Sequence, residues 1–298
     1  MIAIQPSGET LGATVSGIDL SQPLSAQDYG TILKALGDFG VLRFPKQELQ
    51  PAHQKAFAEV FGTLEINVAA GPYTLPDIPE MMILSNMRKD GIAVGLGDAG
   101  QGWHTDMSYS REIAFANVLY GLEIPHRNGA PLGGTEFANM HAAYEDLPDD
   151  LKTRLDGVTA THDFEKFWEM MRMRPDSTRG PLTAEQRAQK PPVSHPVVMT
   201  HPITGRKVLY CNPGYAIRLD GFPEKESDEI LEFLFAHQLQ EKYIYTNRWQ
   251  KHDLLIWENI GTLHNAIADY GPDEHRLIWR CQVMADKVFD PSFTVPAS

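Results

Sequence analysis

Apolar and polar positions follow two periods along this chain. Gly12-Ala13-Thr14-Val15-Ser16-Gly17-Ile18 alternates as a short strand does, since successive strand side chains point to opposite faces. Residues 25–39 carry apolar side chains at helical spacing, with Ser25 placed to cap the first turn. Val41-Leu42-Arg43-Phe44 reads as a buried strand stopped by Pro45, and residues 51–61 as a helix ended by Gly62. Further short β-rich runs fall at 81–84, 114–122, 134–138, 197–200, 207–211, 254–257 and 277–284, and helical patterns at 140–145, 151–155 and 224–238. Many short strands, few helices and no strict βαβ alternation predict a mainly β fold with peripheral helices, an antiparallel sandwich or barrel. Residues 163–192 show little periodicity and read as a long excursion or lid closing over a site.

The 298 residues are 42% hydrophobic and 22% charged, ordinary for a soluble globular protein, and the length suits one sandwich or barrel domain spanning 1–298. No apolar run approaches the roughly 18 residues that span a bilayer, and Met1-Ile2-Ala3-Ile4-Gln5-Pro6 carries no secretory pattern. Two cysteines, Cys211 and Cys281, exclude a disulfide framework and make the cytoplasm the expected compartment. A net charge of −13 without a Lys/Arg stripe argues against nucleic acid or an anionic membrane as partner. It does not bear on a small anionic ligand, which a few buried arginines can hold.

The sharpest chemical signal is Gly102-Trp103-His104-Thr105-Asp106. On a strand, i and i+2 share a face, so His104 and Asp106 can offer one imidazole and one carboxylate to a single ion. His264, just after the apolar run Leu254-Leu255-Ile256-Trp257, is a candidate second imidazole. Two histidines and one carboxylate leave the opposite positions of an ion open, which suits Fe(II) binding a cosubstrate and O2 together. The plainer alternative is a hydrogen-bonded His-Asp pair. A second signal is Arg276 with Arg280, four residues apart in an otherwise apolar stretch, where strand spacing again gives a shared face. Buried arginines are costly unless each meets an anion, and their planar forks suit carboxylates and sulfonates. The alternative there is an exposed edge strand.

This set of residues resembles the taurine and 2,4-dichlorophenoxyacetate dioxygenase family. The similarity extends to Gly133-Gly134-Thr135-Glu136-Phe137-Ala138-Asn139-Met140-His141, to His201-Pro202 with Thr204-Gly205-Arg206-Lys207, and to Leu255-Ile256-Trp257-Glu258-Asn259. Ala268-Asp269-Tyr270 before Arg276 and the N-terminal Leu11-Gly12-Ala13 run keep the family's order, so it covers nearly the whole chain. The resemblance implies a double-stranded β-helix (jelly-roll, cupin-like) core holding Fe(II) through His104, Asp106 and His264. It implies that Arg276 and the Thr135 hydroxyl receive the distal carboxylate of 2-oxoglutarate, and that Arg280 meets the acidic group of the substrate. The implied reaction is hydroxylation of a small anionic organic substrate (sulfonate, carboxylate or aryloxyalkanoate) by O2, with 2-oxoglutarate decarboxylated to succinate and CO2. A homo-oligomer, dimer or tetramer, is implied too. Asn67 stands where the taurine enzyme has a histidine, and it joins Tyr73, Met107 (through its backbone N–H) and Tyr215 as candidates for the substrate pocket. The alternatives are desaturation or isonitrile-type oxidation with the same cofactors, a Zn(II) hydrolase on the same three ligands, and an inactive binding module.

Overall fold

A computed structural model describes residues 2–67, 72–174, 177, 179–290 and 293 of the chain. Its largest element is an eight-stranded sheet ordered Ala3–Pro6, Ala13–Ser16, Val41–Phe44, Leu254–Glu258, Ala114–Glu123, Leu277–Met284, Ile78–Ser85, Thr74–Leu75. Neighbours in it run antiparallel except Ala13–Ser16 beside Val41–Phe44. A three-stranded antiparallel sheet, Ile244–Asn247, Thr135–Asn139, Thr262–Ala266, faces it. Phe137 of the small sheet meets Trp257 of the large one edge to face at 5.2 Å, and Trp257 in turn lies 4.9 Å from the ring of His264. The two sheets therefore close on each other as a jelly roll, with helices outside.

The peripheral helices form where sequence chemistry calls for them. In Ala26–Phe39 the Ser25 hydroxyl accepts from Asp28 N–H at 3.0 Å, and Ile32, Leu33 and Leu36 bury one face. Each such side chain contributes about 1.5–3 kcal/mol by burial. Leu36→Ala, which leaves a cavity as well, costs about 2–5 kcal/mol. Arg43 makes a two-pronged pair with Asp253, 2.7 and 3.0 Å, tying Val41–Phe44 to the turn before Leu254–Glu258.

The predicted strand at 277–284 is observed with the same bounds, and the helix at 140–145 likewise. The stretch 163–192 differs from expectation. It holds a helix, Phe164–Arg172, capped by Asp163 accepting from Glu165 N–H at 2.9 Å, and a second, Ala184–Gln189, with a Thr183/Gln186 capping box. Phe164, Phe167 and Met171 supply the helical spacing of the first, which the surrounding Arg, Pro and Gln hide. Positions 175, 176 and 178 of that stretch lie outside the described residues. No helix among the described residues is long and apolar enough to cross a membrane.

Candidate active site

His104, Asp106 and His264 come together between the sheets, all buried, with donor atoms within 4.8 Å of one another. The route to this juxtaposition differs from the strand spacing expected. His104 lies in an isolated bridge and Asp106 in a turn, because the chain bends on both sides of them: Gly102 sits at φ 99° and Met107 at φ 55°. A Cβ at position 102 would also stand 2.7 Å from Met170 Cε. What sets the imidazoles side by side is cross-strand pairing. His104 N–H donates to His264 O at 3.1 Å and His264 N–H to His104 O at 2.8 Å, so the two side chains leave the same face, ring centroids 4.2 Å apart. His264 itself lies on Thr262–Ala266, a strand after the apolar run rather than within it.

Three bonds hold the turn. Gly102 N–H donates to Asn265 Oδ1 at 2.7 Å, Asn265 donates to Glu136 Oε2 at 2.8 Å, and Thr105 Oγ1 donates to Asn259 O at 2.6 Å. The turn leading to Thr262–Ala266 is fixed by buried Glu258, which accepts from the Ile260 and Gly261 N–H groups and faces His201 Nε2 at 3.2 Å. His201 and His195 are thus structural: His195 Nε2 is 2.8 Å from Ser110 O.

The donor set fits a divalent ion. His104 Nε2 and His264 Nε2 stand 3.6 and 3.5 Å from the two Asp106 oxygens, too long for hydrogen bonds and near enough to share an ion. His104 Nδ1 lies 2.6 Å from Gly102 O, so it carries the proton and leaves Nε2 free. Burial alone would raise the Asp106 pKa, but the Arg280 guanidinium and the two imidazoles hold it well below the usual carboxylate range. Burial, reinforced by His104, pushes His264 well below the ordinary histidine value despite Asp106. An ionised carboxylate beside a neutral imidazole is the protonation state a metal requires.

Asn117 was not foreseen, although an amide inside the apolar run of Ala114–Glu123 is a legible signal. Fully buried, it donates to Asp106 Oδ2 at 2.8 Å and accepts from Arg280 Nε at 3.0 Å. Arg280 Nη2 also donates to Asp106 Oδ2, at 2.8 Å. The arginines are not on an exposed edge: Leu277–Met284 lies between Ala114–Glu123 and Ile78–Ser85. Arg276 precedes the strand, and the register shifts between Leu277 and Ile278, yet both arginines reach one cavity. Thr135, Trp257, His264 and Ala266 line its other walls.

Arg276 is 7% exposed and makes no ion pair among the described residues. Its Nε is buried without a hydrogen-bond partner, and Tyr270 lies 6.0 Å from the guanidinium. Burial lowers its pKa, with Tyr270 and Asp269 opposing. A buried cation lacking an anion is costly, so this one fits an incoming carboxylate. Thr135 Oγ1 accepts from Trp249 Nε1 at 3.0 Å, which leaves the hydroxyl hydrogen free to donate.

Against the His104 ring stand Phe167, 4.8 Å from it, and Tyr215, 6.2 Å from it. Met107 packs with Tyr215 and Tyr109, a residue that sequence reasoning missed. Asn67 is half-buried at the edge of the described residues. The Tyr73 carbonyl accepts from Ile83 N–H at 2.8 Å, and Tyr73 does not line the cavity beside His264.

A jelly roll with two histidines and one carboxylate between its sheets has the architecture of non-haem iron oxygenases. The chain belongs to one such family: the model of the taurine catabolism dioxygenase TauD, TfdA family matches residues 3–282. It is 32% identical to the alpha-ketoglutarate-dependent 2,4-dichlorophenoxyacetate dioxygenase of Cupriavidus pinatubonensis, covering 96% of this chain and 99% of that one. It is 30% identical to the pentalenolactone F synthase of Streptomyces avermitilis, covering 95% and 94%. The crystal structure of AAD-2 with Mn(II) and N-oxalylglycine superposes with a TM-score of 0.78 at 26% identity, covering 95% of this chain and 97% of that one. The chain is accordingly an α-ketoglutarate- (2-oxoglutarate-) dependent dioxygenase whose cofactors are Fe(II), 2-oxoglutarate and O2, rather than a zinc hydrolase or a binding module.

Proposed function

We propose that the protein hydroxylates a small anionic organic substrate, a carboxylate, sulfonate, aryloxyalkanoate or sulfate ester, with His104, Asp106 and His264 as the iron ligands. Arg276 and Thr135 hold the distal carboxylate of 2-oxoglutarate. The observation that carries this reading is the buried, anion-free guanidinium of Arg276 in the wall of a cavity shared with His264. Fe(II) with its cosubstrate supplies the oxidising power: 2-oxoglutarate becomes succinate and CO2, and one atom of O2 enters the substrate.

The chain contributes position and dryness. Asn117 and Arg280 fix one oxygen of Asp106, leaving the other for the metal. The ring of Phe167 and the side chain of Met170, which packs over Gly102, shield the centre from water. Similarity to enzymes named for 2,4-dichlorophenoxyacetate and for alkyl sulfates supports the anionic substrate class. Similarity to a pentalenolactone F synthase, an enzyme named for the compound it makes, supports a second reading, desaturation or isonitrile-type oxidation in a biosynthetic pathway with the same cofactors. One domain, a cytoplasmic location and a homo-oligomer complete the proposal.

The test is succinate release after anaerobic loading with Fe(II) and 2-oxoglutarate and exposure to O2, across aryloxyalkanoates, sulfonates and alkyl sulfates. Anion-stimulated succinate that disappears in His104→Ala supports the reading. Stimulation by neutral compounds alone refutes the substrate class.

A further inference from the structure

Ala99 and Gly100 belong to the wall of the cavity that Thr135 and Arg276 also line. They lie in Gly97-Asp98-Ala99-Gly100-Gln101-Gly102, a segment in which three of six residues are glycine. With Gly100 at φ 75° and Gly102 at φ 99°, this backbone loses much conformational freedom when held in one shape, so tethers must hold it. Two come from the strand Thr262–Ala266: Ala266 N–H donates to Gly100 O at 2.8 Å, and Asn265 Oδ1 accepts from Gly102 N–H at 2.7 Å.

The others come from the excursion. Arg179 makes a two-pronged pair with Asp98, Nη2 donating to Oδ1 at 2.9 Å and Nη1 to Oδ2. Arg174 Nη1 donates to Gln101 Oε1. Trp168, next to Phe167 on the helix Phe164–Arg172, braces the Arg179 fork. The guanidinium carbon lies 5.5 Å from the Trp168 ring centroid, and Trp168 Nε1 donates to Gly180 O at 2.8 Å. Phe167 on His104, Met170 on Gly102, Arg174 on Gln101 and Arg179 on Asp98 form a descending series. The excursion therefore runs antiparallel along residues 98–104, from a proposed iron ligand to the cavity wall.

We infer that Arg179 and Asp98 are positioning residues for 2-oxoglutarate: their pair keeps Ala99 and Gly100 in place as a wall of the cosubstrate cavity and so slows the escape of bound 2-oxoglutarate. The inference rests on the reading that 2-oxoglutarate binds beside Arg276. Asp98 is 40% exposed, so the pair contributes little to the stability of the whole fold. Its effect is local. Without it the glycine-rich segment samples released shapes, and the apparent affinity falls with the fraction of time that the wall is in place.

The experiment titrates 2-oxoglutarate calorimetrically into Mn(II)-loaded protein and times the release of radiolabelled 2-oxoglutarate into an unlabelled excess. Asp98→Asn and Arg179→Gln should each weaken binding about two- to fivefold, mainly through faster release, while Mn(II) affinity and the melting temperature of the metal-free protein stay at wild-type values. The double variant should bind no more weakly than either single one, because both remove the same contact. The charge-swapped variant, Asp98→Arg with Arg179→Asp, should recover part of the loss. Unchanged release in both single variants overturns the inference, as do losses that add in the double variant or that accompany an equal fall in Mn(II) affinity. Arg276→Met tests the reading beneath it. If that variant binds 2-oxoglutarate as tightly as wild type, the cosubstrate does not occupy this cavity and both fall. If Arg276→Met alone loses binding, only the role of Arg179 and Asp98 falls.

Discussion

Replacing Arg276 by Met separates a binding role from a structural one, because the two push stability in opposite directions. The side chain is buried, its Nε lacks a partner, and its guanidinium carbon lies 6.0 Å from the Tyr270 ring centroid. Its backbone bonds, N–H to Asn86 Oδ1 at 2.9 Å and O from Ser85 Oγ at 2.7 Å, survive the substitution. Removing a buried guanidinium with an unpartnered Nε relieves about 1–3 kcal/mol, less what its contact with Tyr270 contributes. At about 2 °C per kcal/mol for a chain of this size, the metal-free variant should melt about 2–6 °C higher than wild type. The same change deletes a two-pronged contact to a carboxylate, two charge-assisted bonds of about 1.5–3 kcal/mol each. The loss of about 3–6 kcal/mol weakens 2-oxoglutarate about 10²–10⁴-fold. Differential scanning calorimetry of the metal-free protein gives the first quantity, and calorimetric titration of 2-oxoglutarate into Mn(II)-loaded protein gives the second. A variant that melts several degrees lower and keeps its 2-oxoglutarate Kd within about tenfold would refute the reasoning.

Asn117→Ala strips the bonds to Asp106 and Arg280 while leaving all three proposed ligands in place, so metal affinity should fall about 10–100-fold, read by Fe(II) or Mn(II) titration. Gly133→Ala puts a Cβ 3.0 Å from Arg276 Cδ and Nε at φ 67°, which should raise the KM for 2-oxoglutarate about tenfold and cost about 1 kcal/mol in urea unfolding. Acid should destabilise the fold through two buried histidines. Burial lowers His162 to about 3 and His141 to about 4. The unfolded chain takes up these protons near pH 6.5 and the folded one does not, so stability is complete above that value and falls as pH drops towards 4. The slope approaches about 2.7 kcal/mol per pH unit for two protons. Urea midpoints at pH 7.5 and 5.5 should differ accordingly, and His162→Phe should reduce the difference.

Local chemistry is what the sequence states on its own. Ser25 caps, Pro45 stops a strand, and the apolar stretch 277–284 forms a strand with those bounds, because capping and side-chain alternation act within a few residues. The proposed ligands and Arg276 were also legible, through ordered motifs spread along the chain. The geometry that joins them was not. His104 and Asp106 share a centre through a turn, and His104 meets His264 through backbone pairing across 160 positions of sequence, so strand spacing pointed to residues that the fold does bring together, by the wrong local structure. The helix Phe164–Arg172 was obscured because its caps and apolar face lie among Arg, Pro and Gln. Asn117 escaped notice for a related reason. A buried amide gains its meaning from the charges opposite it, and Asn117 meets Asp106 and Arg280 only when separate elements close around the centre.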